Sequence, residues 1–182
     1  KDEVGELGRH AVDMQRSLRE LVEKDALTGL YNRRYGEKRL KQVQKDADSY
    51  GMPFCIAIGD IDYFKHVNDT YGHEWGDRVL TQIARIMAER MRREGYAARW
   101  GGEEFLLVFM DQGLQDAAET LRKLQNEIRD TEFTYNEKEK FRVTMTFGIC
   151  ESSGGNTDEL LRCADNRLYA GKKGGRDRII QE

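Results

Sequence analysis

The sequence predicts an α+β domain: a central, mainly antiparallel sheet with flanking helices on one face, preceded by a separate N-terminal helix. Three observations carry the prediction. After the preface, the patterns run strand, helix, strand, strand, helix, strand, which is the order of a split β-α-β plan. "FRVTMTFGI" (141–149) alternates strictly, with Phe141, Val143, Met145, Phe147 and Ile149 on one face of a half-buried strand. Val4, Leu7, Ala11, Met14, Leu18 and Leu21 recur at spacings of three and four, a heptad seam that belongs to a helix.

That seam makes residues 1–24 a parallel coiled coil, or alternatively an amphipathic helix lying on its own domain. "DALTGLYNRR" (25–34) ends it: Gly29 breaks the pattern, and Asn32 caps a helix over about 33–48. "YGMPF" holds the only proline and makes a turn before "FCIAI" (54–58), an apolar run short enough for a buried strand. The strand ends at "GDID" (59–62). A short helix follows with Asp62 as its N-cap, then a loop, "YGHEWGD" (71–77). Val79, Leu80, Ile83, Ile86, Met87 and Met91 give a helix over 76–92 its apolar face. "YAARW" (96–100) and "EFLLVFM" (104–110) flank Gly101-Gly102, which predicts a tight hairpin with positive φ at its centre. Leu114, Ala117, Ala118, Leu121, Leu124 and Ile128 mark another helix, and Leu160, Leu161, Ala164 and Leu168 the last one.

The composition limits what such a domain does. Its 182 residues suit one domain with a short appendage, and 30 basic against 33 acidic residues provide no long groove for nucleic acid. No apolar stretch is long enough to cross a bilayer, so the segment reads as cytoplasmic, whether alone or as the cytoplasmic part of a larger receptor. Cys55, Cys150 and Cys163 are widely spaced without a CxxC pair, which reads as buried free thiols in a reducing compartment. The chain lacks an initiator methionine and begins inside a pattern, so an upstream sensor domain is expected. The division is residues 1–24 as a signalling helix and 25–182 as the catalytic domain.

Chemistry concentrates at one sheet edge. Asp60 ends the first core strand, while Glu103 and Glu104 begin another just after the hairpin turn. If those strands are antiparallel neighbours, three carboxylates meet, repel and raise one another's pKa unless a hard divalent cation joins them. Adjacent residues of a regular strand point to opposite faces, so Glu103 and Glu104 share one cation only if the backbone departs from strand geometry. The first-turn amides near Phe64 and Lys65 make a phosphate cradle, with Lys65 adding a point charge.

"DALTGLYNRR", "GDIDYFKHVNDTYGHEWGDRVL", "RWGGEEF", "MTFGI" and "ADNRLYAGKKGGR" together resemble, in order and spacing over about residues 25–178, the GGDEF-domain diguanylate cyclases. The resemblance implies a palm-like fold of the nucleotide-cyclase type, and condensation of two GTP into cyclic di-GMP with release of two pyrophosphates. Two facing domains each bring one GTP, so a homodimer through the N-terminal coiled coil is implied. It implies Mg²⁺, with Mn²⁺ as a substitute, two ions per site, held by Asp60, the Ile61 carbonyl, Glu103 and Glu104. Glu103 and Lys65 are the implied catalytic residues, Glu103 in the place of the base for the 3′-hydroxyl. Phe64, Lys65, Asn68, His73, Asp77, Gly101, Gly102, Lys172 and Arg176 are the implied substrate-binding set. Of these, Asn68 and Asp77 look like the guanine readers, and Lys172 with Arg176 resembles the triphosphate-binding pair.

Three departures accompany the resemblance. The signature reads GGEEF, a chemically equivalent carboxylate. Gly171 and Asp177 stand where alanine and asparagine are usual. The family's inhibitory Arg-x-x-Asp falls on Arg92, Arg93, Glu94 and Gly95, so only Arg92 is kept and high-affinity feedback by product is not expected unless Glu94 or Arg93 partly substitutes. Alternative readings are a catalytically silent nucleotide-binding module and a cyclase making a mixed dinucleotide. Asp77 opposes the latter, because a carboxylate favours the donors of guanine.

Overall fold

The computed structural model describes residues 2–182. The elements, in chain order, are α1 (Asp2–Glu23), α2 (Arg33–Tyr50), β1 (Phe54–Ile61), α3 (Phe64–Tyr71), α4 (His73–Met91), β2 (Gly95–Arg99) and β3 (Glu104–Met110). There follow α5 (Leu114–Asp130), β4 (Phe133–Tyr135), β5 (Glu139–Phe141), β6 (Met145–Glu151), α6 (Thr157–Lys173) and β7 (Ile179–Ile180).

The main sheet has the order β2-β3-β1-β6-β7, antiparallel except for the β6–β7 edge pair. Its two faces are both covered, which corrects the expectation of helices on one face only. Cys55 and Ala57 of β1 point with Phe105, Leu107, Phe109, Phe147 and Ile149 into a core closed by α3, α4 and α5. Phe54, Ile56 and Ile58 point the other way, with Leu106 and Val108, to meet Leu40 of α2 and Ala164 and Leu168 of α6. A strand buried on both faces reads as a continuous apolar run, which is why "FCIAI" shows no alternation.

Asn32 caps α2 as expected, its side chain accepting from the Tyr35 amide. The 71–77 segment is not a loop. Only Gly72 (φ 91) interrupts, and α4 starts at His73. The strand expected over 141–149 is divided: Glu139–Phe141 forms a small separate hairpin with Phe133–Tyr135, and β6 starts at Met145. The hairpin adds Phe133 and Phe141 to an aromatic cluster with Tyr71 and Trp75, so burial there is by rings and not by sheet.

Cys150 and Cys163 form a disulfide between β6 and α6, with Cα atoms 6.5 Å apart, and Cys55 alone is free. The expectation of three free thiols is therefore corrected. Sequence spacing gave no hint, because the contact arises only when α6 lies across β6.

Helix α1 buries none of its residues. Its stripe faces solvent, with Val4 82%, Leu7 75% and Leu21 78% exposed, so it does not lie on its own domain. Only its C-terminal end is tied down: Asn32 donates through Nδ2 to the Val22 carbonyl (2.7 Å), and its amide donates to the carbonyl of Glu23 (2.8 Å). No helix among the described residues is long and apolar enough to cross a membrane.

Candidate active site

In the β1–β3 register Asp60 lies directly opposite Glu104, and on its other side opposite Thr146 of β6. Directly opposed residues of an antiparallel pair share a face, so Asp60 and Glu104 project together toward the α6 side of the sheet. Glu103 lies just outside β3, and its carbonyl accepts from the Ile61 amide (3.2 Å). That bond continues the β1–β3 register by one pair, while the chain bends through residues 101–103, so regular strand pairing ends at Glu103.

Burial, more than mutual repulsion, makes the three carboxylates hold their protons more tightly than usual. Burial pushes Asp60 up against the opposing pull of Lys172, with Asp62 adding to the rise. Burial also raises Glu103 and Glu104, and the negative charge of Asp60 adds to both. Among the described residues no three acidic, histidine or cysteine side chains close into a ready metal cage. Instead Lys172 Nζ donates to Asp60 Oδ2 at 2.6 Å. The donor set is nonetheless all oxygen and in need of positive charge, which fits a hard divalent cation such as Mg²⁺ or Mn²⁺.

The turn that carries the glutamates is not the tight primed turn expected. Neither Gly101 nor Gly102 has positive φ, and Trp100 and Gly101 amides instead donate back to the Glu104 carbonyl (2.8 and 3.2 Å). Two arginines fix its outer side. Arg99 donates from Nε to the carbonyl of Gly101 (3.2 Å) and from Nη2 to that of Gly102 (2.9 Å), while its Nη1 pairs with Asp25 (3.2 Å). Asp25 also takes the amide and hydroxyl of Thr28 and is held below its usual pKa range; burial opposes that shift. From α2, Arg33 lies over the Trp100 ring, 4.5 Å from its centroid.

Asp62 is not the N-cap of α3. Its buried carboxylate accepts from the hydroxyls of Thr144 (2.7 Å) and Thr146 (2.6 Å) and from the Asp177 amide (3.0 Å). The cap position belongs to Tyr63, in left-handed backbone (φ 55), with no side-chain cap bond. The first-turn donors of α3 beside buried Phe64 and exposed Lys65 are thus left without a side-chain acceptor, the arrangement an anion prefers.

Further along α3, Asn68 Oδ1 is the buried side-chain atom without a hydrogen-bond partner among the described residues. It lies against Gly76 of α4, where a larger residue would collide with it. Exposed Asp77 is the next residue of α4, and His73 stands exposed at the start of that helix.

Lys172 occupies the last turn of α6, followed by a turn in which Gly175, Arg176 and Asp177 all have positive φ. Arg176 lies over the Tyr63 ring at 4.7 Å, and its charge reaches Asp60. The Asp177 carboxylate accepts a guanidinium fork from Arg129 of α5 (2.8 Å at its shortest). Sequence reasoning missed Asp25, Arg33, Asp62, Arg99 and Arg129 as supports, since their partners lie far away in the chain. Only the carboxylate and hydroxyl types of "DID" and "TMT" gave any signal.

The segment 92–95, where the resemblance places the Arg-x-x-Asp motif, is built differently. Arg92 is exposed at the end of α4 and among the described residues pairs with Glu89 alone, at 3.6 Å, and Glu94 accepts from Gln112 (2.8 Å). At Gly95 a side chain would run into the Val108 carbonyl, so this backbone has no room for the missing aspartate.

The comparisons with known proteins agree with this geometry. The chain is 37% identical over 164 residues to the response regulator PleD of Caulobacter vibrioides, covering 88% of this chain and 36% of PleD. The chain thus spans little more than a third of the length of that relative. The coiled coil and GGDEF domain of DgcB from Caulobacter crescentus, solved with c-di-GMP, matches with a TM-score of 0.91 and 29% identity, over 100% of this chain and 96% of that one. The active GGEEF domain of a diguanylate cyclase from Vibrio cholerae matches with a TM-score of 0.77 and 26% identity, over 84% and 97%. The family model described as "Diguanylate cyclase, GGDEF domain" covers residues 22–178. With its signature written GGEEF, the chain belongs to the GGDEF family of diguanylate cyclases.

Proposed function

We propose that this domain is a diguanylate cyclase that condenses two GTP into cyclic di-GMP and two pyrophosphates. The observation that carries the reading is the pairing of Asp60 with Glu104, beside Glu103 and within reach of Lys172 and Arg176. Phosphoryl transfer needs that combination: acids to hold a cation and bases to hold phosphate. Asp60, Ile61, Glu103 and Glu104 would hold Mg²⁺ or Mn²⁺, which when bound neutralises the leaving pyrophosphate and acidifies the attacking hydroxyl.

The chain's own groups divide the remaining work. The amides at the start of α3, with Phe64 and Lys65, cradle phosphate, and Lys172 and Arg176 bind the triphosphate from the other side. Glu103, raised above the usual carboxylate range by burial and Asp60, accepts the proton of the 3′-hydroxyl. Asn68 and Asp77 read guanine. The unpartnered Asn68 Oδ1 supports this, because the guanine edge offers N–H donors to an acceptor waiting for one. Gly101 and Gly102 leave room for the nucleotide, and His73 stands at the rim.

One domain holds one GTP, so turnover requires a second copy facing the first. The exposed stripe of α1 supports a parallel coiled coil that brings the two together, and an upstream sensor would act through it. Incubation with GTP and Mg²⁺, with ATP as competitor, tests the reading by mass spectrometry of the products. Cyclic di-GMP alone is expected. Absent or linear products favour the silent module, and an adenine-containing product overturns the guanine assignment.

A further inference from the structure

We propose that Lys172 is a tethered competitor for the divalent cation at Asp60, so that metal and nucleotide bind this domain as a coupled pair. The proposal rests on the reading of Asp60 as a metal ligand and adds to it a role for the ion pair.

The ammonium of Lys172 lies 2.6 Å from Asp60 Oδ2, where Asp60 is 11% exposed and Lys172 32% exposed. The residues that act on Asp60 from nearby strands are acidic: Glu104 opposite, Glu103 beside it, and Asp62 two positions on. A carboxylate half-surrounded by others needs a counter-ion, and the chain supplies its own. The choice of lysine is informative. Its compact charge ends a flexible four-carbon stem and does not depend on a fixed bidentate geometry, so it can leave one anion for another.

A hard cation arriving alone at Asp60 must break this short charge pair and then sit beside the displaced ammonium. Arriving with a triphosphate, it meets no such penalty. The phosphates draw Lys172 away toward Arg176 and the uncapped start of α3, and the carboxylate is released as the cation needs it. Each ligand therefore raises the affinity for the other by the same factor, because the coupling is reciprocal.

The test is Mn²⁺ binding to the full chain without nucleotide, followed by electron paramagnetic resonance of the free ion. Lys172→Met should bind Mn²⁺ roughly tenfold or more tightly than the wild type, the magnitude of a lost charged hydrogen bond. Arg176→Met, which removes a charge that reaches Asp60 without touching it, should gain much less. With a saturating non-hydrolysable GTP analogue the advantage of Lys172→Met should disappear. Equal Mn²⁺ affinity in the wild type and Lys172→Met, or an equal gain in Arg176→Met, overturns the proposal. If the double variant Lys172→Met/Asp60→Asn binds Mn²⁺ as tightly as Lys172→Met, the cation is not at Asp60 and the functional reading itself fails. Thermal melting by circular dichroism checks each variant's fold, and Lys172→Gln replaces the methionine variant if that one melts early.

Discussion

The two sides of the site are built in opposite ways. The acidic side stands on paired backbone: Asp60 is locked between Glu104 and Thr146 in the sheet, and the turn before Glu104 is gripped by Arg99 and Arg33. The basic side stands on the last turn of α6 and three successive residues of positive φ, pinned by the Asp177 amide on Asp62 and by Arg129. The contrast teaches a division of labour. Like charges separate if the chain lets them, so the acids need a rigid frame. On the proposed reading the bases change partners during binding, so they need reach instead.

The sharpest way to break this contrast is at the acidic side. Glu104→Gln keeps the shape and removes the charge, and product formation should fall at least about a hundredfold while the far-ultraviolet circular dichroism spectrum is unchanged. Undiminished turnover would place the chemistry elsewhere. Next in size is the anchor that joins the two sides. Asp62→Ala removes the acceptor of the Thr144 and Thr146 hydroxyls and leaves the Asp177 amide only its bond to Thr146 Oγ1 (3.0 Å), and should cost about 3 kcal/mol in urea unfolding. A loss below about 1 kcal/mol would mean that the basic loop is held by Arg129 and Thr146 without Asp62.

Removal of residues 1–24 should leave the fold intact and make specific activity rise with protein concentration, since a coiled coil supplies effective concentration and not chemistry. Equal specific activity at every dilution would show that α1 does not pair the domains. A smaller effect is expected at the brace: Asp25→Asn weakens the anchor of Arg99, and should lower kcat by about tenfold or less with KM for GTP little changed. A matching rise in KM would assign Asp25 to binding.

The smallest effect is in stability. Asp60, Glu103 and Glu104 all titrate above their ordinary values, so the native state binds these protons more tightly than the unfolded chain does. Their contribution is fully present below the ordinary carboxylate pKa and is lost as pH rises through the raised values. In chelator, Glu104→Gln should therefore melt on the order of 2 °C higher than the wild type at pH 7 and show no gain near pH 3. An equal gain at both pH values would point to packing rather than charge.

Much of this was legible in the residues alone. The order of the four central strands and their helices, and the opposition of Asp60 and Glu104, follow from local pattern, whereas the short strands β4, β5 and β7 do not. The misses share a cause. The Asp62 carboxylate was expected to cap the helix beside it, but Thr144, Thr146 and the Asp177 amide reach it from across the sheet. The Gly101-Gly102 turn was expected to close by its own φ angles, but guanidinium groups hold it from outside. Cys150 and Cys163 were expected to be separate thiols, and meet only because a helix crosses a strand. Local preference was overruled wherever a partner distant in sequence made a better bond.

Gly148 is where that crossing is set. On β6, its missing methyl would fall on the Ala164 carbonyl and the Leu168 amide of α6, so helix and sheet touch backbone to backbone there. One turn after Leu168 the same helix carries Lys172 in its last turn. The reach of that ammonium toward Asp60 is thus calibrated at a residue with no side chain and no part in recognition. Widening the seam at 148 by a single carbon would move a charge, and with it the balance between an empty site and a loaded one.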